Sequence, residues 1–404
     1  MRLKAFSVWL FCPGLFACGG DLTDSARVIV RDSAGVQIVE NAGELWAMED
    51  RWRLSPDPVV QIGAVQGEAA YLFDGVRGVV ALGDGRIVVA DRGDSSLRWF
   101  DSNGRFLFRR GGEGDGPGEF SGLSAITVVA GDTLVAVDWS KRRFTLFGPN
   151  GEPGSSTRIH GLIAPPGQVY RLSNGNWIVG TSGFSSVQLG FQPEVGVYRL
   201  DSPILEMSAD GQQLDTVGMF PSSEVEFRAE GEGFWIGRAP FGRNLGYGVS
   251  RDHIMVTTAD RLEVDVYSPE GRLVRSFRAP DVTSELTEEI QAAWQDFMRD
   301  QLVETPPERR AQVERRISSA EFPANMPACS SLLVDDEGNV WLGEFRFDRT
   351  PAGRFLVFDP EGRFITAVTV PPGFRVMTIV RGHVYGSLTD EFDVEYAVGH
   401  SIVK

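Results

Sequence analysis

Six short segments of the chain end on a polar residue after a run of apolar ones. "GRIVVAD" ends at Asp91, "DTLVAVD" at Asp138, "GNWIVGT" at Thr181, "DHIMVTT" at Thr258 and "GNVWLGE" at Glu344, while "GHVYGSL" reaches Asp390 just beyond it. If one repeated unit carries these ends to a common rim, four carboxylates approach one axis. Clustered acids repel one another unless a cation compensates them, so the rim would suit a divalent cation or a cationic ligand. Asp91, Asp138 and Glu344 are then the expected metal ligands, with a divalent cation as the expected cofactor. Aspartate also accepts bonds from backbone N–H groups two or three residues on, so each acid could equally cap its own turn.

Other reactive residues are sparse. The four histidines, His160, His253, His383 and His400, show no His-x-x-x-His or His-Glu pairing, which argues against a zinc hydrolase. His253 and His383 hold matching places in their segments and so should meet similar surroundings rather than share a metal. No Gly-x-Ser-x-Gly elbow occurs. The tripeptide Arg92-Gly93-Asp94 falls where a hairpin bend is expected. "FWIGRAPFGRN" interleaves Phe234, Trp235 and Phe241 with Arg238 and Arg243. Aromatic rings beside guanidinium groups recur at recognition surfaces, which makes Trp235, Arg238, Phe241 and Arg243 ligand-binding candidates. The same arginines could instead form ion pairs that stiffen their loop.

The elements that must position these residues follow from internal repetition. Asp91 maps onto Asp138, Phe100 onto Phe147, Asn103 onto Asn150 and Gly104 onto Gly151, all at an offset of 47 residues. "DSNG", "GPNG", "SADG", "SPEG" and "DPEG" end at Gly104, Gly151, Gly211, Gly271 and Gly362, and each lies between apolar stretches. Asn-Gly and Asp-Gly accept the positive φ that tight hairpins need. Each unit is therefore a meander of about four short antiparallel strands, and six units imply a six-bladed β-propeller. An N-terminal strand should complete the sixth blade and cover its edge. Either "RVIVRDSAGVQIV" (27–39) or "WRLSPDPVVQIG" (52–63) could supply it. "GGEGDGPGEF" (111–120) lies where one blade's outer strand crosses to the next blade's inner strand. It lacks the helix and the Lys-Ser/Thr of a phosphate loop, so its glycines turn a corner and Phe120 plugs the seam.

Two stretches depart from the repeat. Residues 281–319 turn to helical periodicity, with Leu286, Ile290, Ala293, Trp294, Phe297 and Met298 as one apolar stripe and Ser284 or Thr287 as a start signal. "TPPE" (305–308) opens a second helix, with proline in its first turn and Glu308 at the capping-box place. This helical hairpin sits in a blade crossing and should lie over the channel mouth, either packed against the wall or as a lid. A second expansion runs from Thr181 to Asn244.

The N-terminus reads as an export signal. Arg2 and Lys4 precede the apolar run 5–11, Pro13-Gly14 interrupts it, and Leu15-Phe16-Ala17-Cys18 resembles a bacterial lipobox in which Cys18 is acylated. The expected domains are thus a signal peptide over 1–17 and the propeller over 18–404, its helical insertion near 281–320. Cleavage would take the formal charge from −16 to −18, a surface that repels phosphate backbones, so nucleic acid is not an expected partner. Cys329 would be the one cysteine left without lipid, so no intrachain disulfide is expected.

"GRFLFRRGGEGDGPGEF", "SAEFPANMPACSSLLVDDEGNVWL" (318–342) and the closing "VPPGFRV" and "VYGSLTDEFDVEYAV" resemble NHL-repeat propellers, and more closely the bacterial six-bladed propeller lipoproteins. That resemblance implies a bacterial cell-envelope protein held to the membrane through its N-terminal lipid only, acting as a module that binds a ligand or an envelope protein. It implies no chemistry, because a fold does not fix a function. The competing expectation is a metal-dependent extracytoplasmic lactonase or lyase using the carboxylate rim. A purely structural envelope component is a third.

Overall fold

In the computed structural model, residues 27–160, 166–181, 194–230, 233–280 and 285–404 are described. The N-terminal stretch read above as an export signal, with Cys18, lies outside them. The fold is a six-bladed β-propeller with a helical insertion between blades four and five. Blade one is Val76–Ala81, Ile87–Asp91, Ser96–Phe100 and Phe106–Gly111, each strand antiparallel to the one before. Blade two begins at Leu123–Val129, blade three at Pro166–Arg171, blade four at Gly246–Ser250, blade five at Ser331–Val334 and blade six at Phe374–Val380. These six first strands form the inner ring. Small residues let them approach. A Cβ on Gly78 would stand 2.4 Å from Ile126 of blade two, and one on Gly248 would stand 2.8 Å from Val334 of blade five.

The core lies in the seams between blades, where the apolar faces of successive sheets meet. Trp99, Phe120, Phe147, Leu97 and Leu134 fill the seam between blades one and two. Phe120 is fully buried with its ring 6.0 Å from Phe147, so the glycine-rich crossing turns a corner as its composition demands. Gly111 and Gly118 take φ of +85° and +80° there, conformations that cost other residues about 1–2 kcal/mol. The glycines ending the five hairpin turns all lie between +77° and +84°.

The ring is closed by 52–63 and not by the opening hairpin. Val60–Ile62 and Arg53–Leu54 both pair antiparallel with Glu395–Val403, the third strand of blade six, and His400 Nδ1 meets the Ser55 carbonyl at 2.9 Å. The hairpin of Arg27–Ser33 and Val36–Ala42 instead extends the outer edge of blade four, where Val36–Ala42 runs parallel to Leu273–Arg278. The fully buried Asn41 reaches on into blade five, donating to the Gly362 carbonyl at 2.9 Å and accepting from Phe364 N at 2.8 Å.

Helix α1 (Glu288–Asp300) starts where Thr287 Oγ1 accepts from Ile290 N, and α2 (Pro307–Ser318) starts with proline in its first turn. No side-chain cap forms at α2, so the capping box read from Glu308 is not made. The Thr181–Asn244 expansion holds the two outer strands of blade three and a separate sheet of Gly196–Tyr198, Val225–Glu230 and Gly233–Arg238.

Candidate binding face at the channel mouth

A meander places every second-to-third-strand turn and every blade crossing on one face of the ring. The helices, the extra sheet, the acids ending the second strands and the aromatic and arginine residues of 234–243 therefore share that face, while His253 and His383 lie at turns on the other. On it the acids serve the backbone. Asp91 is 1% exposed and accepts from Asp74 N and Gly93 N, both at 3.1 Å, while Arg98 holds it at 2.8 Å. Burial pushes the Asp91 carboxyl up, against the pull of Arg98 and the two N–H groups. Asp138 repeats the arrangement, accepting from Ser121 N at 3.0 Å and Lys141 N at 3.1 Å. Asp390 accepts from Phe392 N and Val394 N, both at 2.9 Å. In blade four the capping place belongs to Thr257, whose hydroxyl accepts from Ala259 N, while Thr258 turns to Asp260. Thr181 bonds the Pro203 carbonyl.

Asp91, Asp138 and Glu344 are thus not brought together. Among the described residues no group of three His, Cys, Asp or Glu side chains could hold a metal ion. The physical reason is that Asp91 and Asp138 are each drawn into their own blade turn by backbone N–H groups, whereas Glu344 lines the cavity between blades five and six. His253 and His383 do share one environment, with Nδ1 facing the carbonyl two residues before it at 3.0 and 2.8 Å. Arg92-Gly93-Asp94 forms the tight turn of blade one, and Asp94 is spent on Arg98 and Arg109.

The four ligand-binding candidates part company. Phe241 is 3% exposed, at φ +51°, and its ring lies 5.6–6.4 Å from Trp294, Phe322, Phe345 and Phe347. It ties the crossing after blade three to α1 and to the second turn of blade five, and so anchors a roof over one side of the mouth. Arg243 is bound by Glu224 at 2.5 Å and Asp260 at 2.8 Å, and Asp260 also holds Arg199. Those carboxylates raise the Arg243 guanidinium above its ordinary value, which is the loop-stiffening outcome. Trp235 lies under Arg316, whose guanidinium carbon stands 4.5 Å from the ring centre, in the groove between the extra sheet and α2. Only Arg238 stays exposed, with no hydrogen bond or ion pair to any described residue.

Arg238 does have neighbours of its own charge. Burial lowers the Arg349 pKa, and repulsion from Arg346 and Arg238 lowers it further. Burial likewise lowers Arg375, with Arg349 and Arg77 adding to the shift and Glu395 opposing it. Five guanidinium groups from four parts of the ring are therefore linked in a chain of repulsions, Arg349 with Arg346, Arg238 and Arg375, and Arg375 with Arg77. Arg349 and Arg346 come from the second turn of blade five, Arg77 and Arg375 from the inner strands of blades one and six. Arg346, Arg349 and Arg375, with Ser330, Ser331 and Phe374, line a cavity of about 230 Å³ between blades five and six. The sequence reading missed Arg77 and Arg375; the signal that could have found them is that "GVR" (75–77) and "GFR" (373–375) hold the same place in their blades.

A model of the family described as 6-bladed beta-propeller (DUF5128) matches residues 71–245, which span blades one to three. Among solved structures, a member of the DUF4221 family from Bacteroides vulgatus superposes with a TM-score of 0.54 at 9% identity, covering 88% of this chain and 98% of that one. A protein of Bacteroides fragilis thought to be exported gives 0.49 at 12% identity, over 91% and 100%. A gluconolactonase from Xanthomonas campestris gives 0.44 at 12% identity, over 86% and 99%. Identities this low speak of fold alone. No curated protein matches the chain. No helix among the described residues is long and apolar enough to cross a membrane.

Proposed function

We propose that this chain is an extracytoplasmic, lipid-anchored propeller that binds a ligand at the mouth roofed by its two insertions, and that it is a binding module rather than a metal-dependent lactonase or lyase. The observation that carries this reading is the cavity between blades five and six. It opens on the face where the helical insertion and the extra sheet are locked together around Phe241. Concave sites at such mouths, with a few convergent polar groups, are where propellers and other ring folds take ligands. Of the carboxylates that an enzyme would need for a cation, Asp91, Asp138 and Asp390 are already bonded to backbone N–H groups, which leaves Glu344 alone at the cavity. Export and anchoring rest on the basic n-region, the short apolar run and Cys18.

Metal analysis with chelation tests the reading. The mature protein should carry no stoichiometric divalent ion and keep its Tm in EDTA. A bound ion that is lost in Asp138→Asn or Glu344→Gln would move the assignment to the enzyme. For the anchor, Cys18→Ser should release the protein from the envelope fraction. Retention of that variant would remove lipidation from the account.

A further inference from the structure

The chain is strongly acidic, with 55 Asp and Glu against 39 Lys and Arg, so an arginine here has carboxylates within reach almost anywhere. Most take one. Arg98, Arg199, Arg243, Arg278 and Arg354 all sit in ion pairs of 2.5–2.8 Å. At the mouth the pattern reverses. Arg77, Arg238 and Arg349 have no hydrogen-bond or ion-pair partner among the described residues. Arg346 is bonded to the Pro351 carbonyl and Arg375 to the Val76 carbonyl, so each keeps N–H donors to spare.

Three acids stand against these five guanidinium groups and offset only part of their charge. Glu344, which lines the same cavity, and Asp348 both act on Arg346. Glu395 acts on Arg375, but its carboxylate is taken up by Gly75 N at 2.5 Å and Val76 N at 2.8 Å. The guanidinium groups thus destabilise one another's charge. An anion between them would remove the penalty and gain charge-assisted, bidentate bonds.

We propose that the mouth between blades five and six binds a small multivalent oxyanion, carboxylate- or phosphate-bearing, clamped by Arg349 and Arg375 with Arg346 beside them in the cavity wall, while Arg77 and Arg238 add positive charge from outside the lining. The assignment deepens the binding-module reading and rests on it. A cavity of about 230 Å³ admits a compact anion, not a chain. A polymeric anion would in addition meet the surrounding negative surface, which favours a small ligand recognised locally. Phe374 and Phe355 on the cavity wall would exclude water from one side of the ligand and strengthen the charged contacts.

Isothermal titration of the mature protein at low ionic strength tests this, with citrate as the carboxylate probe and pyrophosphate as the phosphate probe. At least one should bind, and tighter binding of one names the source chemistry. Arg349→Gln/Arg375→Gln should weaken it at least tenfold with Tm within about 2 °C of wild type, while Arg272→Gln on the opposite face changes nothing. Raising salt should weaken binding as well. Equal affinity in the double variant would overturn the proposal, as would failure of both anions to bind. Protection of 344–352 from hydrogen exchange by a neutral compound would then leave the binding face standing and refute only its anion chemistry. Binding of a divalent cation there would refute both.

Discussion

Replacing Phe241 separates an anchoring residue from a ligand-contacting one. Its ring is 3% exposed and touches four other aromatic rings, two from the helical insertion and two from the second turn of blade five. A buried phenylalanine hides about 150–250 Å². Losing most of that at about 25 cal/mol per Å² costs roughly 3–4 kcal/mol. The cavity left behind brings Phe241→Ala to about 3–5 kcal/mol. The backbone adds a sign test. At φ +51° a residue with a Cβ is strained by about 1–2 kcal/mol, and glycine is not. Glycine normally costs about 0.5–1 kcal/mol more than alanine through chain entropy. Phe241→Gly should therefore be no less stable than Phe241→Ala, and up to about 1.5 kcal/mol more stable, taking these two terms together. Urea denaturation followed by tryptophan fluorescence reads both variants, since Trp294 lies in the same cluster. Proteolysis within the helical insertion reports local release of the roof. Wild-type stability in Phe241→Ala, or a glycine variant clearly worse than the alanine one, would refute the anchoring role.

Burial pushes the Asp50 carboxyl up, yet Thr369 N and Arg354 outweigh it and hold it below the ordinary value of 3.8. A depressed acid stabilises the fold above its unfolded pKa, and that contribution is lost as pH falls through the folded one. Asp50→Asn should therefore destabilise at pH 7 and flatten the decline of stability below about pH 4, read by Tm against pH. An unchanged acid limb would deny the clamp a role. Gly271 and Gly35 both adopt positive φ, but a Cβ on Gly271 would stand 2.3 Å from the Val217 carbonyl while Gly35 faces open space. Gly271→Ala should cost at least 1 kcal/mol more than Gly35→Ala, by the magnitude of a buried steric insertion, and equal costs in urea titration would count against the seam packing. Deleting 27–42 should leave a closed, monomeric ring of lower Tm. Deleting through residue 63 should open blade six and cause aggregation on gel filtration, and a monomeric product would contradict the closure described.

The repeat was readable because each blade must bury both faces of a four-stranded meander, which forces the same apolar run and the same turn glycine at Gly104, Gly151, Gly211, Gly271 and Gly362. The six-bladed ring and the helical insertion follow from that pattern alone. Which N-terminal segment closes the ring was not readable. The 27–42 hairpin and the 52–63 segment have similar strand character, and what decides between them is pairing with partners more than 200 residues away. The positions of Asp91 and Asp138 were legible but their occupation was not. An aspartate facing a channel and one caping a seam turn look alike until the N–H groups of Asp74 and Ser121 are in place. Arg77 and Arg375 were missed for a similar reason. A lone arginine in an apolar strand reads as an edge position, and only the ring's closure sets blade six beside blade one.

The most direct test is an anomalous diffraction map from crystals of the mature protein soaked in selenate. The account predicts a peak between the guanidinium groups of Arg349 and Arg375, lost in Arg349→Gln/Arg375→Gln. Selenate confined to the opposite face, around Arg251 and Arg272, with an empty mouth, would contradict it.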